Sequence, residues 1–160
     1  MTIQKILIGI DDSKHAEHAT EYGFDLARKF NAAVGLVNIV EPAFISQVSM
    51  GADPASGLPL QASGIDEMEM MDMQKTIGDN IVDSAIKKFA GDMPVTHFSE
   101  YGSTAEGIIT CSKEFNADLI VIGTHSRHGI DRLLMGSVAE HVVRHSLIPV
   151  LVVPLKSESQ

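Results

Sequence analysis

The chain has 160 residues, 44% of them hydrophobic, and its 12 basic and 21 acidic side chains leave a formal charge of −9. That length suits one domain with a real core, and the acidic balance opposes the phosphate-neutralising contacts that nucleic acid or anionic membranes require. No apolar run approaches the roughly 20 residues of a membrane span.

Met1–Gly9 lacks the pattern of a secretory leader, and the single cysteine, Cys111, has no intrachain disulfide partner. A soluble cytoplasmic protein is therefore expected. An anionic small ligand remains open to such a chain, because backbone N–H groups can hold it without net positive charge.

In chain order, the first apolar run is Ile6–Ile10, followed by a helical segment over Ser13–Phe30. There Ala16, Ala19, Gly23, Phe24, Ala27 and Phe30 recur at a period of about 3.6. Val34–Val40 reads as a second buried strand. Residues 41–64, rich in Pro, Gly and Ser, read as a long mobile loop, a length usually reserved for a functional lid or a disordered segment. Ile65–Ala90 forms a second, longer helix. Val95–Tyr101 alternates apolar with polar, as a half-exposed edge strand does.

Ser103-Thr104-Ala105-Glu106 has capping-box spacing, with Ser103 at the N-cap of a third helix to about Phe115. Leu119–Ile122 is another buried strand. Ser137-Val138-Ala139-Glu140 repeats the capping spacing and opens a fourth helix to about His145. Val150–Val153 is the last strand, and 156–160 is a polar tail. The order β-α-β-α-β-α-β-α-β, with near-continuous Ile, Leu and Val in four strands, predicts an α/β domain over 1–155. Its core is a doubly wound parallel five-stranded sheet with helices on both faces.

The densest chemical signal runs from Gly123 to Ser137. A buried strand ends at Gly123, a polar loop follows, and Gly136-Ser137 begins a helix. Glycine permits positive φ and close backbone approach. A helix start offers unpaired N–H groups and partial positive charge to a phosphate. The plainer reading is two tight turns around a short helix at Ile130–Met135. Neither a G-x-x-x-x-G-K-[ST] loop nor a G-x-G-x-x-G turn is present, which sets aside P-loop hydrolases and Rossmann dinucleotide enzymes.

Three segments carry a family resemblance: Ile6-Leu7-Ile8-Gly9-Ile10-Asp11-Asp12-Ser13, Ala117 through His125, and Leu134 through Pro154. The chain resembles the universal stress proteins over nearly its whole length. The ATP-binding branch of that family carries G-x2-G-x9-G-[ST], which falls here on Gly123, Ser126, Gly136 and Ser137. Three positions agree, and Ser126 replaces the second glycine. If Ser126 must adopt positive φ, it costs on the order of 1 kcal/mol and its Cβ crowds a phosphate; the alternative is that its hydroxyl donates to the phosphate, with Gly129 leaving the loop flexible.

The resemblance implies strand order 3-2-1-4-5 and a nucleotide pocket at the switch point between the first and fourth strands. The residues it implies are Gly9, Ile10, Asp11, Ile39, Ile122, Gly123, His125, Ser126, Gly136, Ser137, Val138 and Ala139. Asp11 belongs to the adenine or ribose side, with backbone near Ile39 completing the adenine pocket. The ligand implied is ATP, ADP or AMP, with Mg²⁺ held by the phosphates. The resemblance also implies a homodimer through Pro149–Val153, with an unidentified protein partner.

The function expected is a nucleotide-dependent stress regulator, not an enzyme, since no catalytic base is evident. The alternative is a nucleotide-independent dimeric adaptor, motivated by Ser126 and by the methionines of the second helix. For Asp11 and Asp12 the structural alternative is capping of the helix near Ser13. Thr124, His125 and Arg127 are candidates to touch phosphate or a Mg²⁺ shell, and His128 faces phosphates only if the loop folds over them.

His141 and His145 share a helix face but lack a third ligand at zinc spacing. His15 and His18 read as solvated helix residues. Met68, Met70, Met71 and Met73 suit either a partner surface or gaps in the core. Cys111 faces the sheet and is expected to be inert.

Overall fold

The computed structural model describes residues 2–41, 67–124 and 135–155. Its elements are β1 (Lys5–Gly9), α1 (Lys14–Phe30), β2 (Ala33–Val40), α2 (Glu67–Ala85), β3 (Val95–Tyr101), α3 (Thr104–Phe115), β4 (Leu119–Gly123), α4 (Ser137–His145) and β5 (Val150–Val153). A π-helical turn, Ile86–Ala90, continues α2. The five strands form one parallel sheet in the order β3-β2-β1-β4-β5.

The strand alternation of side chains divides the core in two. Ile6, Ile8 and Ile10 point to one face and pack with Ala19, Phe24 and Ala27 of α1 and Val82 and Ala85 of α2. Leu7, Val37, Ile120 and Ile122 point to the other and meet Ile108, Cys111 and Phe115 of α3 and Val142 of α4. Both faces are covered, which is why β1, β2 and β4 are apolar apart from Lys5 at the start of β1 and Asn38 within β2. β3, on the edge, keeps Val95, Phe98 and Ser99 half-buried and exposes Thr96, His97, Glu100 and Tyr101.

Three local expectations need correction. Phe30 lies off the buried stripe of α1 and is 49% exposed. β1 ends at Gly9, so Ile10 belongs to the turn, although it is still buried and donates its N–H to Val37 O at 2.9 Å. Ser137 is the first helical residue of α4, and Gly136 is the N-cap.

The spacing at Ser103 is likewise misleading. Ser103 holds the N-cap position of α3, but its hydroxyl makes no capping bond. The carboxylate of Glu41, at the end of β2, takes that role: it accepts from Thr104 N at 3.2 Å and Thr104 Oγ1 at 2.6 Å. Glu106 then turns to His141 on α4, at 2.6 Å.

Candidate functional site

Strand order reverses between β1 and β4, so the connections leaving their carboxyl ends go to opposite faces and leave a crevice there. On the β1 side lie Gly9, Ile10 and Asp11. Asp11 Oδ1 accepts the N–H of Ser13 at 2.7 Å, and Ser13 Oγ accepts that of Ala16 at 3.1 Å. Ser13 is therefore the N-cap of α1. Asp11 shapes the turn before it, and neither aspartate occupies the cap position.

On the β4 side lie Ile122 and Gly123. A Cβ on Gly9 would stand 3.0 Å from Ile122 Cγ2, so the two strand ends are in close contact. Gly123 is required by packing. A Cβ there would meet the main chain of His15 at 2.8 Å, and backbone cannot swing aside as a side chain can. The first turn of α1 thus sits directly on the end of β4. His15 is half-buried against it, with Nδ1 3.4 Å from Thr124 Oγ1, and is not the solvated residue its helix position suggests.

The start of α4 is tied to the same place. Gly136 N–H donates to Thr124 O at 2.7 Å, and Gly136 O accepts from Glu140 N at 2.9 Å. Between them, the N–H groups of Ser137, Val138 and Ala139 have no acceptor within their own helix. Ser137 is exposed, while Ala139 is buried against the sheet. Gly136 has φ −61 and ψ 154, an extended conformation open to any residue. Among the described residues the glycines at positive φ are Gly91 and Gly102, so a left-handed turn does not explain Gly123 or Gly136.

Ile39 points to the α3 face and reaches Gly107, where a Cβ would be 2.5 Å from its Cδ1. Ile10 points to the α1 face, so these two residues approach the crevice from opposite sides of the sheet. His125, Ser126, Arg127, His128 and the Ile130–Met135 helix expected around them fall wholly or largely in 125–134, outside the described residues, as does most of the 41–64 loop. A concavity of about 350 Å³ lined by Ile109, Lys113, Asn116 and Leu147 lies at the C-terminal end of α3, away from this crevice.

Asn38 is missed by the sequence reading. It is buried at 4% exposure, and its Nδ2 donates to Ile10 O at 2.9 Å. The signal available was one amide inside the apolar run Val34–Val40.

Among the other candidates, His141 and His145 stack at 4.1 Å, and His145 Nδ1 lies 2.8 Å from the carbonyl of His141. No group of three or more potential metal ligands occurs among the described residues. Met68, Met71 and Met73 are 70%, 41% and 57% exposed, which excludes a core role for them. No helix of the described residues is long and apolar enough to cross a membrane.

Fold and crevice define a doubly wound α/β protein with a helix N-terminus tied to its switch point. The sequence profile of the universal stress protein family matches residues 2–154. A universal stress protein of Methanocaldococcus jannaschii is 31% identical over 154 residues, 94% of this chain and 81% of that protein. The chain belongs to the universal stress protein family.

Solved structures agree on the fold. The protein MJ0577 superposes with TM-score 0.79 at 23% identity, covering 99% of this chain and all of that one. A universal stress protein in complex with cAMP gives 0.61 at 18% identity, over 98% and 100% of the two chains. The Archaeoglobus fulgidus protein in complex with dAMP gives 0.60 at 17%, over 95% and 98%.

Proposed function

We propose that the crevice between β1 and β4 binds an adenine nucleotide, with the phosphates at the start of α4 and the nucleoside on the Asp11 side. The observation that carries this is the N-terminus of α4, fixed at the switch point by the 2.7 Å bond from Gly136 to Thr124. Three successive N–H groups without helical acceptors, at the positive end of a helix dipole, fit a phosphate. Two family members were solved with adenine nucleotides, cAMP and dAMP.

The ligand proposed is ATP, ADP or AMP, and Mg²⁺ would be carried by the phosphates. Gly136 and Ser137 bring main chain close to the phosphates, and Asp11 is placed to accept from a ribose hydroxyl or a base amine. Among the described residues, the donors at the start of α4 are backbone N–H groups, which suits holding a nucleotide over cutting it. We assign the chain a cytoplasmic regulatory role, exercised as a homodimer and read by a protein partner through nucleotide-dependent conformation.

Isothermal titration with ATP, ADP and AMP tests the reading. Heat and a melting shift at millimolar nucleotide are expected, and neither appearing in the wild type overturns it in favour of the nucleotide-independent adaptor. Gly136→Val is the informative variant, because its backbone conformation suits valine. The fold should persist while affinity drops by tenfold or more, about 1.4 kcal/mol. Turnover on the scale of ordinary enzymes, roughly 1 per second or faster, would overturn the holding role.

A further inference from the structure

Three polar side chains are buried among the described residues: Thr20, Asn38 and Ser112. Two of them turn back on their own helix. Thr20 Oγ1 donates to Ala16 O at 2.7 Å and Ser112 Oγ to Ile109 O at 2.7 Å, the usual accommodation for a helical hydroxyl. Asn38 does something else. Its amide reaches past the end of the neighbouring strand and donates to Ile10 O at 2.9 Å.

That carbonyl belongs to the corner where the chain leaves β1 and turns into α1. The corner is held twice from β2: Ile10 N–H by Val37 O at 2.9 Å, and Ile10 C=O by Asn38. The next residue is Asp11, whose carboxylate accepts the Ser13 N–H. On its other side the Asn38 amide lies under α2. A Cβ on Gly78 would stand 2.5 Å from Asn38 Oδ1. A buried amide costs free energy unless it is bonded, and an aliphatic residue would fill this strand position more cheaply.

We propose that Asn38 is a positioning residue for the nucleotide pocket: it fixes the Ile10–Asp11 corner through the Ile10 carbonyl, and Gly78 leaves the room for it to do so. This rests on the reading of the crevice as a nucleotide site. The amide orients Asp11 without touching the ligand. It also makes α2 the lid of the corner, since a side chain at position 78 has to displace the Asn38 amide or lift the helix.

The test compares Asn38→Leu, Gly78→Ala and a control, Gly23→Ala. A Cβ at Gly23 meets Ile8 Cδ1 at 2.6 Å, a similar intrusion into the core away from this corner. ATP affinity is measured by titration well below each variant's melting temperature. Exchange of the Ser13 amide is followed by NMR without nucleotide, corrected for global stability.

Asn38→Leu and Gly78→Ala are expected to weaken ATP by about fivefold or more. They are also expected to speed Ser13 exchange by about tenfold, while Gly23→Ala leaves both at wild-type values. Unchanged affinity and exchange in the first two variants overturn the proposal, as does an equal change in the control. Should the wild type bind no nucleotide, the nucleotide reading fails. Ser13 exchange then still decides whether Asn38 fixes the corner.

Discussion

Cys111 is fully buried on α3 against the sheet, and burial, with the charges of Glu100 and Glu114 adding to it, pushes its thiol up to about 11. The thiol is therefore neutral at physiological pH and a poor nucleophile. In the unfolded chain it ionises near 9. Because the folded value is the higher one, the fold keeps its full stability below about pH 9 and loses it as pH rises through about 11. The loss is on the order of 2–3 kcal/mol, set by the two-unit gap. Melting temperatures of wild type and Cys111→Ala between about pH 8 and 11 check this. The wild type should fall more steeply, and parallel curves would refute the account.

At the scale of elements, Glu41 shows how a helix start is built from a distant residue. Its carboxylate bonds both polar hydrogens of Thr104 and sits where the dipole of α3 favours negative charge. Glu41→Ala should cost about 1 kcal/mol, the usual value of an N-cap, read as a lower urea midpoint. Ser103→Ala should cost much less, because the Ser103 hydroxyl makes no capping bond.

Sequence spacing suggested the reverse. Ser103 and Glu106 have the capping pattern, but Glu106 is drawn away to His141 and Glu41 lies 63 residues from Thr104. Local pattern sees neighbours in the chain and not neighbours in space. The strands were legible because burial on both faces demands near-continuous runs of Ile, Leu and Val, and the edge position of β3 because one exposed face demands alternation. The helix start at Gly136 was legible as a place, though the glycine's reason was not: its φ is ordinary, and Gly123 answers to the backbone of His15. Asn38 was invisible because its partner carbonyl belongs to the turn after β1, 28 residues away in the chain.

Across the whole molecule, the sheet has two edges, and they differ in how they are guarded. β3 exposes Thr96, His97 and Glu100, polar and charged groups that discourage a further strand. β5 reads Val-Leu-Val-Val, and only Val153 of the four is buried. Its outer main-chain edge meets no other strand among the described residues, and its side chains offer no charge to repel one. A second copy presenting the same strand about a twofold axis would extend the sheet and cover this edge on both molecules at once. A homodimer through Pro149–Val153 is therefore the assembly proposed here. Sedimentation equilibrium at micromolar concentration should return twice the 17.2 kDa chain mass. A single-chain mass maintained up to tens of micromolar would show that β5 is guarded in some other way.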